Sequence, residues 1–358
     1  MITAMSAPLT EQWLQQVLDR YELGSVSRVE ILPGGMFLKP VHVITETGEW
    51  VLRGHRFRNS EEAFRFQAST LEALRQKGVR CPRVLPDRFG KLGFEWGDAF
   101  WGVYEYIPGH KYSWTEWELA KTGTGFLERL GEHMALVHDV LSSIRPCGDG
   151  SFSPFLPPVQ FSYLDITQDQ WHADIARLTT SSSCAAPLSR AALLENRVII
   201  AEMWKFLAAA VARDGIADLS LQLVHGDVSP VNLIFEGETP TLIDWDCLHY
   251  GVRIYDLLGD VVNRPPASRA GGSEFRREEA ERLLRGYDRA STRPFSREER
   301  RAIATFSMAR QLEDLRQRMA VLPSLTSEED ADYAALIRGR VSMLNQIAAP
   351  PRLGMGTE

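Results

Sequence analysis

The stretch LVHGDVSPVNLIF at residues 223–235, with TLIDWD following at 241–246, decides the fold class of this 358-residue chain. Three polar side chains stand out among apolar neighbours: Asp227, Asn232 and Asp244. Because apolar residues flank each of them, we expect each to lie at the end of a short buried strand or in a loop held by one. The pattern therefore predicts a polar site supported by short strands.

The types and spacing of these three groups suit phosphoryl transfer. A carboxylate must orient the attacking hydroxyl and accept its proton, and oxygen ligands must hold Mg²⁺ against the nucleotide phosphates. In the protein-kinase catalytic loop the base aspartate precedes a metal-binding asparagine by five positions, which is the separation of Asp227 and Asn232. Asp244 then takes the place of the metal-binding aspartate, in Ile-Asp-Trp instead of Asp-Phe-Gly.

These residues resemble the aminoglycoside phosphotransferase, choline kinase and homoserine kinase superfamily of small-molecule kinases, and the whole string is far more specific than His-Gly-Asp alone. The resemblance implies that Asp227 is the catalytic base and that Asn232 and Asp244 are Mg²⁺ ligands. It also implies that Asp246 assists through a second metal or its waters. It further implies that Asp256 braces the catalytic loop.

The glycines of Leu32-Pro33-Gly34-Gly35 resemble the nucleotide-covering loop of the same superfamily, which makes Gly34 and Gly35 candidate nucleotide-binding residues. The alternative is a plain hairpin turn. Related sequences often carry an asparagine a few positions later, and this chain has Leu38 there.

Two further positions in the N-terminal half match the superfamily pattern with departures. Arg53 lies where a basic residue of the third strand neutralises the nucleotide phosphates; the alternative for a lone arginine is a solvated charge. Gln67 aligns with the helix glutamate that normally pairs with this basic strand residue, and it lies on the apolar face of its helix. Gln67 is therefore expected to hydrogen-bond Arg53, or else to be a core amide bonded to backbone.

The segment YEYIPG at 104–109 resembles the hinge between two lobes. By position, the carbonyl group of Glu105 and the amide of Ile107 would bind adenine. The alternative is an edge strand that ends at the Pro-Gly turn.

The pattern along the rest of the chain predicts a small β-rich half followed by a larger helical half. Apolar periodicity predicts a first helix with Thr10 as its N-cap and Gly24 at its close. The further predicted elements are strands at 29–32, 41–45, 50–53 and 99–107, helices at 59–77, 125–142 and 190–213, and a loop at 145–160. Together with the resemblance, this order predicts an α+β, two-lobed protein-kinase-like fold, with a small antiparallel N-lobe at 1–109, a mainly helical C-lobe at 110–349 and a disordered tail at 350–358.

Composition argues against several other classes. The formal net charge of −7 makes nucleic acid or an anionic membrane a poor partner. The dispersed Cys81, Cys147, Cys184 and Cys247 suggest free thiols. There is neither an apolar signal-peptide core nor a long apolar run, so a cytoplasmic enzyme is expected.

The sequence thus predicts a kinase that uses ATP and Mg²⁺ to phosphorylate a hydroxyl of a small molecule: a sugar, an amino sugar, an amino alcohol or an aminoglycoside-like acceptor. One alternative is a nucleotide-binding pseudokinase that regulates a partner, which Gln67 and Leu38 favour. A protein kinase is a weaker alternative, because Ala-Pro-Glu and Asp-Phe-Gly are both missing from the sequence.

Overall fold

A computed structural model describes residues 10–33, 38–55, 61–96, 99–144, 168–180, 186–257, 277–322 and 325–348. Contacts divide these residues into two compact units. The first contains the described residues within Met1–Lys111, Leu136–Pro157 and Val231–Leu248, and the second those within Tyr112–Ala135, Pro158–Pro230 and His249–Glu358. The predicted lobe boundary at residue 109 stays a prediction, and the predicted tail and the loop at 145–160 lie outside the described residues.

The described elements follow the predicted order, with strands concentrated in the first part of the chain and helices in the second. The strands are β1 Val26–Ile31, β2 Val41–Thr45, β3 Gly48–His55, β4 Gly93–Trp96, β5 Ala99–Glu105, β6 Gln222–Val224, β7 Leu233–Glu236, β8 Thr239–Leu242 and β9 His249–Gly251. The helices are α1 Glu11–Tyr21, α2 Glu61–Gln76, α3 Trp114–Thr122, α4 Phe126–Leu141, α5 Gln168–Thr180, α6 Pro187–Glu195, α7 Arg197–Arg213, α8 Ile254–Leu257, α9 Arg277–Ala290, α10 Arg297–Arg301, α11 Ile303–Val321 and α12 Ser327–Ala348.

An antiparallel five-stranded sheet in the order β1-β2-β3-β5-β4 forms the centre of the first unit. The predicted hairpin between β2 and β3 is confirmed, with Thr45 opposite Gly48. The core against this sheet includes Trp13 of α1, whose ring meets that of Trp101 edge-on with centroids 5.0 Å apart. Such an aromatic pair contributes about 0.5–1.5 kcal/mol beyond the area that it buries.

The start of α1 follows the prediction, and its end does not. The side chain of Thr10 accepts a hydrogen bond from the backbone N–H of Trp13, as an N-cap does. At the other end the helix stops at Tyr21, where Glu22 takes the left-handed conformation with φ 53° and the N–H of Leu23 donates to the carbonyl group of Leu18. Gly24, with φ 77°, lies beyond this cap. A left-handed cap closes the helix two residues earlier than the glycine suggested.

After β5 the chain is tied to β7 by a short backbone ladder. His110 and Phe235 exchange two N–H···O=C bonds of 2.8 Å each. Gly109 makes this approach possible: its φ is 148°, and a Cβ there would lie 2.6 Å from the carbonyl oxygen of Phe235. The ladder fixes the β7–β8 hairpin beside the end of β5 within the first unit.

In the second unit, the single helix predicted over 190–213 is wrong. Two helices, α6 and α7, meet at Asn196, whose side-chain amide donates to the carbonyl oxygen of Ala192 at 2.7 Å. A polar side chain that bonds to nearby backbone competes with helix continuation. Apolar periodicity carries across such a break, so the pattern did not reveal it.

Helices α4 and α9 touch through their backbones in the second unit. A Cβ at Gly131 would lie 2.0 Å from the carbonyl oxygen of Leu283, and a Cβ at Gly286 would lie 1.9 Å from that of Glu128. Neither glycine has room for a single methyl group unless the two helices move apart.

We therefore expect Gly286→Ala to lower the free energy of unfolding by about 1–3 kcal/mol, measured by urea denaturation. A decrease in the free energy of unfolding would be informative, because alanine in a helix interior is normally favoured over glycine by about 1 kcal/mol. Gly123→Ala is the control, since Gly123 is exposed with φ −68°. A Gly286→Ala variant as stable as the parent would contradict the close backbone contact.

Candidate active site

A pocket in the first unit brings together most of the predicted nucleotide-binding residues. Arg53, Gln67, Glu105, Ile107 and Asp244 all contribute to its wall. Other lining residues come from the strands and connections around it: Leu32, Pro33, Pro40, Val51, Leu71, Pro82, Tyr104, Tyr106, Lys111, Ile234, Ile243 and Trp245. Gly34 and Gly35 lie outside the described residues, so their predicted role stays a prediction.

Arg53 projects from β3 into this pocket and meets two carboxylates. Its Nη2 donates to Oδ1 of Asp244 and, at 3.1 Å, to Oδ2 of Asp246. Burial alone would lower the pKa of the Arg53 guanidinium, but the two carboxylates outweigh burial, so its pKa is raised above the ordinary value. Arg53 is therefore a permanent, partly desolvated cation in the pocket and not a solvated surface charge.

Asn232 and Asp244 lie at the same end of the β7–β8 hairpin. The last ladder pair is Leu233 with Leu242, and the next residues continue it, since the N–H of Ile243 donates to the carbonyl oxygen of Asn232 at 2.9 Å. Asp244 follows directly, with a left-handed φ of 65°. Non-glycine residues adopt this conformation rarely, and such positions concentrate at functional sites.

The donor chemistry at this hairpin end fits Mg²⁺. An amide oxygen of Asn232 and the carboxylate of Asp244 are hard oxygen ligands, and Mg²⁺ usually takes few protein ligands and keeps several waters. Within the part of the chain that the structure describes, no group of three or more His, Cys, Asp or Glu side chains is arranged to hold a metal. A small set of protein oxygens, completed by phosphate and water, is the arrangement that these residues can offer.

His55 and Lys111 belong to this region and were missed by the sequence analysis. His55 is 2% exposed, with Nδ1 2.8 Å from Oδ1 of Asp246 and Nε2 3.0 Å from the hydroxyl of Tyr104. Lys111 adds a second cation to the pocket wall. The available signal for His55 was its place two residues after Arg53, which puts both side chains on one face of β3.

Gln67 is buried, as the sequence predicted, at 2% exposure. Its Oε1 has no hydrogen-bond partner among the described residues. Because a guanidinium can only donate, the predicted hydrogen bond from Arg53 would have to end at this oxygen, so that bond is not formed in the structure. The alternative, a core amide bonded to backbone, stays a prediction. Glu105 and Ile107 lie at and just beyond the end of β5, and the Glu105 side chain points to Arg75 at 2.9 Å.

The second unit holds Asp227 in a tightly braced loop. The N–H groups of His225 and Gly226 donate to the two oxygens of the buried Asp256 at 2.7 and 2.8 Å, which confirms the predicted bracing role of Asp256. Gly226 has a left-handed φ of 84°. The N–H of Asp227 donates to Nδ1 of His225 at 3.2 Å, so His225 supports the loop from within.

The carboxylate of Asp227 is accessible and has a cation beside it. Its side chain is 36% exposed, and Oδ1 lies 3.9 Å from Nη2 of Arg310 on α11. The Arg310 guanidinium lies over the ring of Tyr255 and donates to the tyrosine hydroxyl. Asp227 thus presents an accessible carboxylate beside a cation that is itself fixed, and such a carboxylate can accept a proton.

Comparison with known proteins defines the class. The model of the phosphotransferase enzyme family, APH, matches residues 29–303, and the chain belongs to this family. It is accordingly a small-molecule phosphotransferase. A search of curated proteins gave no match.

Solved structures agree on the fold. The aminoglycoside phosphotransferase from Alicyclobacillus acidocaldarius subsp. acidocaldarius DSM 446 is 16% identical with a TM-score of 0.67, and the match covers 96% of each chain. The microcompartment-associated aminopropanol kinase is 18% identical with a TM-score of 0.67, covering 94% of this chain and 97% of that one. Amicoumacin kinase hAmiN, solved with AMP-PNP, Ca²⁺ and Ami, is 18% identical with a TM-score of 0.65, covering 92% and 93%. The predicted α+β, protein-kinase-like fold is confirmed.

None of the helices in the described ranges combines the length and the apolar character needed to traverse a bilayer.

Proposed function

We propose that this phosphotransferase moves the γ-phosphoryl group of ATP to a hydroxyl of a small molecule, with Mg²⁺ as its metal. The observation that carries the proposal is the pocket of the first unit, where Arg53 and Asp244 share a wall with the hinge residues Glu105 and Ile107. A cation and an oxygen ligand beside an apolar slot suit a purine nucleotide and its phosphates.

Asp227 is the proposed base. It orients the acceptor hydroxyl and takes its proton while the hydroxyl oxygen bonds to the γ-phosphorus. The bond from that phosphorus to the β–γ bridging oxygen breaks, and ADP leaves with the electron pair. Asn232 and Asp244 would hold Mg²⁺, which neutralises charge on the phosphates when it is bound. Arg53 binds the α- and β-phosphates.

The acceptor classes that we propose are sugars, amino sugars, amino alcohols and aminoglycoside-like compounds. Solved structures similar to this chain support this range, because one is the aminopropanol kinase and another is a spectinomycin phosphotransferase, with a TM-score of 0.61, in complex with ADP and spectinomycin. Their sequence identities of 18% and 13% leave the choice among these classes to experiment.

The second candidate is a nucleotide-binding pseudokinase that regulates a partner. Gln67, neutral and without a partner for its Oε1 among the described residues, is the observation that favours it. Asp227, Asn232 and Asp244 favour the active kinase, because each can perform the role proposed for it.

The test is ADP formation from ATP with Mg²⁺ against amino sugars, free hexoses, homoserine, choline and aminoglycosides. We expect at least one acceptor to raise ADP formation above the acceptor-free rate, and EDTA to abolish that increase. Titration with the fluorescent analogue mant-ADP runs beside it. Binding without stimulation by any acceptor would favour the pseudokinase, and no nucleotide binding would contradict both candidates.

A further inference from the structure

In the pocket of the first unit, the guanidinium of Arg53 is held by carboxylates that follow β8 and not by a residue of helix α2. The resemblance places a glutamate at Gln67 to pair with Arg53, and the neutral Gln67 amide provides no counter-charge. The structure instead shows Arg53 bonded to Asp244 and Asp246. A partly desolvated guanidinium needs such a partner, because an unpaired buried charge is costly.

The two carboxylate oxygens of Asp246 contact different side chains. Its Oδ2 accepts from Arg53 at 3.1 Å, and its Oδ1 lies 2.8 Å from Nδ1 of His55. The opposite nitrogen of His55 meets the hydroxyl of Tyr104 at 3.0 Å, and both rings are buried. His55 and Tyr104 lie on the paired strands β3 and β5, so Asp246 lies against buried side chains of the sheet.

The two carboxylates are therefore suited to different tasks. Asp244 is the proposed metal ligand, and its bond to Arg53 competes with that role. Asp246 has one oxygen committed to Arg53 and the other in contact with His55, so it can hold the guanidinium independently of Asp244.

We propose that Asp246, which contacts His55, is the positioning residue for Arg53 and replaces the helix glutamate that stands as Gln67 in this chain. The inference rests on the proposed phosphotransfer function. Asp246 acts on Arg53 and not on the acceptor. Its loss leaves Arg53 present but free to turn away from the phosphates, so we expect Asp246→Asn to lower kcat by about ten- to a hundredfold, the range for one hydrogen bond to a charged group.

A double-mutant cycle on Arg53→Gln and Asp246→Asn tests the coupling. If Asp246 works through Arg53, Asp246→Asn lowers kcat by less than about twofold in the Arg53→Gln background. The melting temperature of the nucleotide-free protein provides a second readout. We expect the decrease in the double variant to differ from the sum of the decreases in the two single variants. Glu236→Gln is the matched control, because it removes an exposed carboxylate that pairs with Arg80 in the same unit.

A rescue experiment distinguishes a positioning role of Asp246 from a role in metal binding. Gln67→Glu restores a carboxylate on α2, so we expect it to recover about tenfold of the kcat lost in Asp246→Asn. Additive losses in the cycle, or no rescue together with a raised Mg²⁺ requirement in Asp246→Asn, would overturn the inference. If the parent enzyme shows no acceptor-dependent turnover, the proposed function fails, while the melting cycle still decides whether Asp246 holds Arg53.

Discussion

Asp227→Asn is expected to lower kcat by about 10²–10⁴-fold, the usual contribution of a general base. The substitution keeps the size of the side chain and removes its ability to take a proton. Since the Asp227 side chain is 36% exposed, we expect little change in stability. The measurement is acceptor-dependent ADP formation at saturating ATP, with the melting temperature of each preparation.

Asp218→Asn is the control for this variant, because Asp218 is an exposed carboxylate in the same unit. We expect it to retain the parent kcat. Near-normal turnover by Asp227→Asn on an established acceptor would remove Asp227 from the role of base. A matching loss in Asp218→Asn would show that the assay reports general damage.

Asp256→Ala is expected to damage both stability and turnover. Its buried carboxylate accepts from two backbone N–H groups, and each buried donor left unmet costs about 1–3 kcal/mol, so the free energy of unfolding should fall by about 2–6 kcal/mol. The freed segment carries Asp227, and displacement of a reacting group by about 1 Å costs about 10²-fold in rate. Urea denaturation and kcat measure the two effects separately.

Asp330→Ala is a closely matched control for Asp256→Ala. Asp330 too is a buried carboxylate, and it accepts from the N–H groups of Leu188 and Ser189 at 2.8 Å each. Asp330→Ala should therefore destabilise the protein to a similar extent and leave the kcat of the folded fraction unchanged. If Asp256→Ala lost stability alone, the bracing of the catalytic loop would not matter for chemistry. Asp256→Asn, which keeps one acceptor oxygen, allows the comparison if the alanine variant does not fold.

Local patterns predicted much of the fold correctly. The β2–β3 hairpin, helix α2 and the inward position of Gln67 all follow from periodicities of two and 3.6 residues, which are properties of neighbouring positions. The bracing role of Asp256 also held, because the resemblance carried it with its motif. The break between α6 and α7 at Asn196 was not predicted, because a hydrogen bond from a side chain to the backbone does not change the apolar pattern of the sequence.

The partner of Arg53 could not be predicted in the same way. Arg53 and Asp246 are 193 positions apart, and their contact depends on how the β7–β8 hairpin is attached after β5. No periodicity encodes such a distance. The departure at Gln67 showed only that the usual partner was missing, and the packed structure was needed to identify the carboxylate that takes its place.

The contact between α4 and α9 has a consequence for anyone who screens random variants of this enzyme. Positions 131 and 286 leave no room for a side chain, so substitutions larger than alanine there will score as inactive, alongside changes at Asp227. These losses report the amount of folded protein and not its chemistry. A screen that records protein abundance with activity will separate the two groups, and inactive variants at normal abundance will mark the catalytic and binding residues.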